Sequence, residues 1–295
     1  MKRLKILTWN LGFGAMGAEA DISFEGGLNF IPSSNKAISR YVTGIQKTLS
    51  DAKADVYLLQ ELSSGSFLNH WHNLRKSVQE ALPEHSRSSG SNFSLPLYFD
   101  FLRNEHGMST YVKKPLTIDK RHTKLFKDSE RYYKIFPRFD FALTSTVNIQ
   151  GTKPIAFVNT HLSSFDTYGA MRIAQFLELM KYVKKLSKAG YAVIVGADWN
   201  MNTGKYNFIG TDESQYRNHI HDFPTHLLPK GWSAHFTHDI PTVRTANRPY
   251  IKGTSTTATI DGFICSPEIN VEQIQTLDLH FENSDHNPVE MIVSY

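Results

Sequence analysis

A chain of 295 residues, 40% hydrophobic and 20% charged, has the composition of a globular protein with a substantial core. Its single cysteine, Cys265, excludes an intrachain disulfide and is read as a small buried hydrophobe, not a catalytic thiol. A net charge of +4 favours polyanionic partners without singling out nucleic acid; no run is long enough to span a bilayer or to form a signal-peptide core before Trp9, so a cytoplasmic location is expected.

The first apolar run, Lys5-Ile6-Leu7-Thr8, reads as a buried strand that delivers Trp9-Asn10 at its end. The segment Gly12-Phe13-Gly14-Ala15-Met16-Gly17 matches the glycine fingerprint of dinucleotide sites in spelling only. Gly26-Gly27 and Pro32 break the helix such a site requires, so the segment is read as a flexible loop beside Asn10. Helical spacing at Ile38, Tyr41, Val42, Ile45 and Leu49 predicts the first helix. Asp55-Val56-Tyr57-Leu58-Leu59 predicts a second buried strand ending at Gln60-Glu61, and Phe67, Trp71, Leu74, Val78 and Leu82 predict a second helix. Strict alternation at Phe93, Leu95, Leu97, Phe99 and Phe101, with Pro96 among them, predicts a half-buried edge strand; an exposed aromatic edge for a lipid is the alternative.

Strands follow at Phe139 to Val147 and at Ile155 to Asn159, the latter leading into Thr160-His161-Leu162. A third helix runs through Ile173, Phe176, Leu177, Met180 and Val183, with Asp166 or Thr167 as its N-cap and Gly190 as its stop. Ala192 to Val195 is a further strand, and Asp198-Trp199-Asn200 lies just past it. Tyr206 to Pro249 is the least regular stretch, where substrate selection is partly expected. Its histidines, His219, His221, His226, His235 and His238, match no zinc spacing. Arg244, Arg248 and Lys252 precede a strand at Thr259 to Ile264 and are candidates for contact with an anionic substrate, with a solvated surface as the equal alternative. The last strand, Val289 to Val293, follows Ser284-Asp285-His286. The mixture is neither a regular βαβ series nor an all-β repeat.

Five polar signatures therefore sit at or near the ends of apolar runs, and polar groups so placed can converge at one rim of a sheet. Asn10 and Glu61 offer a neutral and an anionic oxygen, the hard donors magnesium takes while keeping several waters. Asp198 and Asn200 are two apart and would face one side if the strand continued; a turn bonding local backbone is the plainer alternative. Asp285 and His286 are adjacent, so their side chains point apart in extended chain, and another carboxylate is needed to orient the imidazole.

Taken together and in this order, the signatures resemble those of the endonuclease/exonuclease/phosphatase superfamily. That group includes deoxyribonuclease I, AP endonucleases, neutral sphingomyelinases, inositol polyphosphate 5-phosphatases, deadenylases and 5′-tyrosyl-DNA phosphodiesterases. Gly196-Ala197-Asp198-Trp199-Asn200 is close to the family's Gly-Asp-x-Asn motif, and Ser284-Asp285-His286-Asn287-Pro288 resembles its C-terminal one. The resemblance spans nearly the whole chain. It implies one domain over residues 1–295 of α+β class, a four-layer α/β/β/α sandwich of two mixed sheets packed face to face with helices on both outer faces.

The resemblance also implies a hydrolase of phosphodiesters or phosphomonoesters that depends on magnesium (Mg2+), with manganese (Mn2+) as a substitute, and uses in-line attack of water. It assigns Asn10, Glu61 and Asp285 to the metal side, Asp198 to the attacking water and Asn200 to the substrate phosphate. His286 becomes catalytic with Asp261 fixing its ring, and His161 a donor to a phosphate oxygen. Asn159-Thr160-His161-Leu162 is more similar to the deadenylases, sphingomyelinases, inositol phosphatases and tyrosyl-DNA phosphodiesterases than to the AP endonucleases. Arg172 and Gln175 are similar to an Arg-x-x-Gln pair of several groups, with helix packing as the alternative; Arg172 joins Arg244, Arg248 and Lys252 as a candidate substrate contact. Nucleic acid or a nucleic-acid adduct is favoured over a phosphoinositide or sphingomyelin-like head group, and no obligate protein partner is inferred. The non-enzyme alternative is a binding module that has kept the fold and lost catalysis.

Overall fold

The computed structural model describes residues 2–94, 105–132, 136–164, 166–204 and 220–295. Its two large sheets are built, in chain order, from β1 (Arg3–Asn10), β2 (Val56–Ser63), β3 (His85–Ser94), β4 (Glu105–Lys113), β5 (Ile118–Leu125) and β6 (Phe141–Val147). They continue with β7 (Ile155–His161), β8 (Ala192–Asp198), β9 (Ser233–His235), β10 (Asp261–Cys265), β11 (Asn270–Thr276) and β12 (Val289–Ser294). The long helices are α1 (Asn35–Ala52), α2 (Leu74–Ala81) and α3 (Ala170–Lys188). One six-stranded sheet has the order β11-β12-β1-β2-β4-β3 and the other β9-β10-β8-β7-β6-β5. Each holds one parallel pair, β1 with β2 and β7 with β8, and every other pairing within it is antiparallel.

Strand parity divides the core into layers. Side chains alternate across a strand, so Leu4 and Ile6 face one way and Leu7 and Trp9 the other. Leu4, Ile6, Val56 and Leu58 of the first sheet pack against Phe157, Ile194, Phe263 and Cys265 of the second, which makes the space between the sheets apolar. Leu7, Trp9, Tyr57 and Leu59 face outward and are covered by Ile38, Ile45 and Leu49 of α1 and Leu74 and Val78 of α2. On the other outer face, Val158, Val193 and Val195 meet Phe176, Leu179 and Val183 of α3. The result is the four-layer sandwich expected, with the central strands buried on both faces and hence apolar in runs instead of alternating. Full burial of each such side chain contributes roughly 1.5–3 kcal/mol.

The second helix differs from its prediction. Phe67–Asn69 form a short 3-10 turn, His70 and Trp71 adopt left-handed backbone, and α2 begins only at Leu74. Trp71 is 52% exposed, so it breaks the apolar face its spacing suggested. At the third helix the N-cap is Gly169, although Asp166 Oδ2 accepts the Arg172 N–H at 2.9 Å and so satisfies a first-turn donor. Gly190, with φ of +96°, stops it as expected. Positions 95–101 of the alternating run Phe93 to Phe101 lie outside the described residues, as do residues 206–219, His219 among them. Among the described residues no helix is long and apolar enough to cross a membrane.

Candidate active site

The site lies where the inward parity of the strands reaches the rim. Asn10 continues the series Leu4, Ile6, Thr8; Asp198 continues Ala192, Ile194, Gly196; and His161 continues Ile155, Phe157, Asn159. Because β1 runs parallel to β2 and β7 to β8, the C-terminal ends within each pair lie together. The two sheets meet there. Asn10 Nδ2 donates to Asp198 Oδ2 at 2.9 Å, and beneath them Gln60 Nε2 donates to Asn159 Oδ1 at 2.8 Å. Register places Asp198 opposite His161 on one side and Asp261 on the other.

Glu61 breaks parity. Its φ is +54°, and the pairing of β2 with β4 is irregular between Leu59 and Leu62, so a bulge re-aims a side chain that regular alternation would send outward. The carboxylate thereby comes within 3.8 Å of His161 Nδ1, with its side chain 19% exposed. Left-handed backbone at a non-glycine residue is strained, and such strain clusters at ligand sites.

Asp261 Oδ2 lies 2.9 Å from His286 Nδ1, and the ring's Nε2 points toward Asp198 Oδ2 at 3.7 Å. Thr242 Oγ1 braces the start of β10 by accepting from Ile260 N and Asp261 N at 2.9 and 3.1 Å. Trp9 Nε1 donates to the His286 carbonyl at 2.8 Å, while Ser284 Oγ donates to the Asn10 carbonyl at 2.8 Å, so both ends of the described chain lock together at the rim. Gly12, read as part of a flexible loop, instead opens a 3-10 turn: its N–H donates to Asn10 Oδ1 at 3.0 Å. Gly12 has φ of +50°, and a Cβ there would stand 2.6 Å from both Met16 Cβ and Asp285 Oδ1, so the position favours glycine.

Asp198 and Asn200 do not share an extended face. β8 ends at Asp198, whose Oδ1 accepts the Asn200 N–H at 3.0 Å, and Asn200 is left-handed with φ of +49°. This is the turn given above as the plainer alternative. Asn200 Nδ2 donates to the Leu162 carbonyl at 2.9 Å, which ties the two signatures together.

Arg172 stands behind that turn. It is 1% exposed, and its guanidinium donates to the carbonyls of Asn200 and of Asp166. Gln175, one turn on, accepts from Ser163 N at 2.9 Å and donates to Asp140 Oδ2 at 3.0 Å. Arg244 is likewise 1% exposed and donates to the carbonyls of Met16, Gly17, Thr245 and Arg248. Both arginines were read as candidate substrate contacts. Their burial and backbone partners brace the site's turns, which for Arg172 is the packing alternative given above. Arg248 is half-buried and Lys252 exposed.

Sequence reasoning missed the network of Arg138, whose Nε lies 2.8 Å from Asp140 Oδ1 and whose Nη1 lies 2.9 Å from Glu130 Oε2 and 3.2 Å from Ser164 Oγ. Its charge reaches His161 and Glu61. The signal was three charged residues flanking a predicted strand start, which resembles ordinary surface.

Burial pushes the His161 imidazole down to about 4, against the pull of Asp198, so it is neutral. Burial would also lower His286, but Asp261 and Asp198 outweigh it and raise the ring well above its ordinary value. For Asp198, burial is outweighed by His161, His286 and the Asn10 and Asn200 hydrogen bonds, which hold it below the usual carboxylate range. Glu61 is pushed up to about 8, first by burial and then by Asp285.

A cation would relieve that last crowding. Glu61 has no Lys or Arg ion pair among the described residues, and with Asp285 and Asn10 it offers oxygen donors only, the set a hard divalent ion takes. By distance, Asp198, Asp261 and His286 also form a group able to hold an ion, within 4.8 Å of one another, but Asp261 and His286 already engage each other.

A model of the endonuclease/exonuclease/phosphatase family matches residues 7–286. The chain belongs to the endonuclease/exonuclease/phosphatase family. Members of this family are generally metal-dependent hydrolases of phosphoester bonds. Among solved structures of the family's fold, humanized D. rerio TDP2 carrying 14 mutations superposes with a TM-score of 0.65 at 14% identity, covering 99% of each chain. A family protein from Beutenbergia cavernae gives 0.65 at 16% identity over 99% of this chain and 72% of its own. The human Nocturnin catalytic domain with bound sulfate gives 0.61 at 15% identity, covering 99% and 94%. At such identities the likeness shows the fold. No curated protein sequence matches the chain significantly.

Proposed function

We propose that this member of the family is a magnesium-dependent phosphodiesterase acting on nucleic acid or a nucleic-acid adduct, with residues 1–295 working as one catalytic unit. The observation that carries the reading is the convergence of Asn10, His161 and His286 on one oxygen of Asp198, at 2.9, 3.4 and 3.7 Å. Two imidazoles aimed at one buried carboxylate in the gap between two sheets suit a reaction in which charge moves.

Asp198 orients the attacking water and takes its proton, while the Asn10 amide fixes the carboxylate. Neutral His161 donates from Nε2 to a non-bridging phosphoryl oxygen. His286, held as a cation by Asp261, stabilises the negative charge that develops as the bond to the leaving oxygen breaks. The Asn200 amide keeps one N–H for the phosphate while the other holds Leu162. Glu61, Asp285 and the Asn10 amide oxygen would hold the magnesium ion, which supplies Lewis-acid polarisation of the phosphoryl group. The positive net charge supports a polyanionic substrate over a neutral lipid head group.

The test is a panel assayed with magnesium: single- and double-stranded DNA, RNA, tyrosyl-DNA, inositol phosphates and sphingomyelin in vesicles. The reading expects the highest kcat/KM on a nucleic-acid substrate. It fails if inositol phosphates or sphingomyelin are cleaved far more efficiently than every nucleic-acid substrate, or if none of the panel is cleaved.

A further inference from the structure

One flank of the sandwich carries a concentration of positive charge that the catalytic account does not use. Among the described residues β5 is the outermost strand of its sheet and pairs only with β6, from Ile118 opposite Val147 to Leu125 opposite Phe141. Most of it is exposed, and it contains Lys120, Arg121 and Lys124. α3 lies beside it: Lys124 Nζ is 3.0 Å from Glu178 Oε2, the rings of His122 and Tyr182 are 5.8 Å apart, and the Tyr182 hydroxyl is 2.8 Å from Thr144 Oγ1. On α3, Lys181, Lys185 and Lys188 follow one another along one stripe, and all three are exposed. Asp119 and Glu178 are the acidic residues of the two elements, and Glu178 is already engaged by Lys124. Lysines on an edge strand also deter pairing with other sheets. That duty does not extend to the lysines of α3, which add to the same face.

The charge leads to the site. Leu125 pairs with Phe141, whose carbonyl accepts from Thr160 Oγ1 at 3.0 Å, and Thr160 precedes His161. At the other element, Arg172 touches the Asn200 turn, and α3 then runs away from the rim to Lys188, about 24 Å further at ~1.5 Å per residue.

Resting on the phosphodiesterase reading, we propose that the β5–α3 flank is a docking tract for the phosphate backbone of a polynucleotide, which leaves the catalytic rim and follows the exposed Lys120, Lys181, Lys185 and Lys188; Lys124 is paired with Glu178, and Arg121 points to the other face of β5. Charge complementarity selects the occupant, and its layout selects nucleic acid over an anionic membrane. The cations form a band along the side of the sandwich, so an extended polyanion can lie on them with one phosphate in the site. A membrane plane resting on the same flank would leave the rim edge-on to the lipid.

The experiment compares the unsubstituted protein with the triple variant Lys120→Gln, Lys181→Gln, Lys185→Gln. Binding of a long single-stranded oligonucleotide is titrated against salt in excess chelator, and turnover of the oligonucleotide and of a dinucleotide is measured with magnesium. Loss of three phosphate contacts should flatten the log–log salt slope by about 2. It should also raise KM for the oligonucleotide while leaving dinucleotide turnover unchanged. An unchanged slope overturns the proposal, as does equal damage to both substrates. So does three-lysine-dependent binding to phosphatidylserine vesicles by a protein that does not bind the oligonucleotide. If neither substrate is turned over by the unsubstituted protein yet the slope still falls, the tract stands and the catalytic reading fails.

Discussion

Replacing Asp261 by asparagine tests whether the buried carboxylate works through His286. The Asp261 Oδ2 to His286 Nδ1 distance is 2.9 Å and both residues are buried, so the substitution preserves shape and removes one charge from beside the ring. An opposite charge this close shifts a pKa by about 1–3 units, and each unit is worth about 1.4 kcal/mol. If the imidazolium stabilises the transition state, Asp261→Asn should therefore lower kcat/KM by about ten- to a thousandfold. His286→Ala should cost at least about a hundredfold. The decisive quantity is the double variant measured by single-turnover hydrolysis at saturating magnesium, with circular dichroism confirming the fold of each variant. With the ring absent, losing Asp261 should add almost nothing, so the double variant should match His286→Ala alone. A double variant that loses the sum of the two logarithmic effects would refute the pairing.

Excess chelator should silence hydrolysis and magnesium or manganese restore it, while Glu61→Gln should raise the magnesium needed for half-maximal rate by at least about tenfold; full turnover in chelator would remove the metal from the account. Gly12→Ala should destabilise by about 1–2 kcal/mol in urea unfolding and reduce turnover, because φ there is +50° and the new Cβ would press on Asp285 Oδ1; wild-type behaviour would deny the close approach a role. Burial, helped by Arg138 and His161, pushes His106 down to about 3 from an ordinary 6.5, so between those values the unfolded chain binds a proton that the folded one does not. Its contribution is intact above pH 6.5 and is lost as pH falls toward about 3, at up to about 1.4 kcal/mol per pH unit. His106→Phe should flatten that part of the stability curve, and an unchanged acid limb would show that His106 does not titrate on unfolding.

The strand ends were legible in sequence because strands buried on both faces read as apolar runs, and a polar residue that ends such a run is conspicuous. Asn10, His161 and Asp198 stand out for that reason, and the structure brings them together at one rim. Glu61 was visible as a residue type, but its aim was not: a bulge depends on how the partner strand pairs, which no local pattern encodes. Asp198 and Asn200 were assigned an extended geometry because a period of two was applied past the strand's last residue, where the Asp198 carboxylate captures the Asn200 N–H instead. Arg172 and Arg244 were candidate substrate contacts, with helix packing the alternative for Arg172, and both guanidinium groups lie buried. Arginine is normally exposed, and nothing in the neighbours of Arg244 predicts a guanidinium buried against backbone carbonyls. The second helix failed where Trp71, half exposed, kept helical spacing while His70 and Trp71 took left-handed backbone.

The central claim is that water, activated at Asp198, attacks phosphorus directly. Single-turnover hydrolysis of an oligonucleotide in heavy-oxygen water with magnesium measures this. The account predicts one labelled oxygen on the product phosphate, none on the released hydroxyl, and no product from Asp198→Asn. Label on the hydroxyl, a covalent phosphoryl-protein intermediate, or undiminished turnover by Asp198→Asn would contradict it.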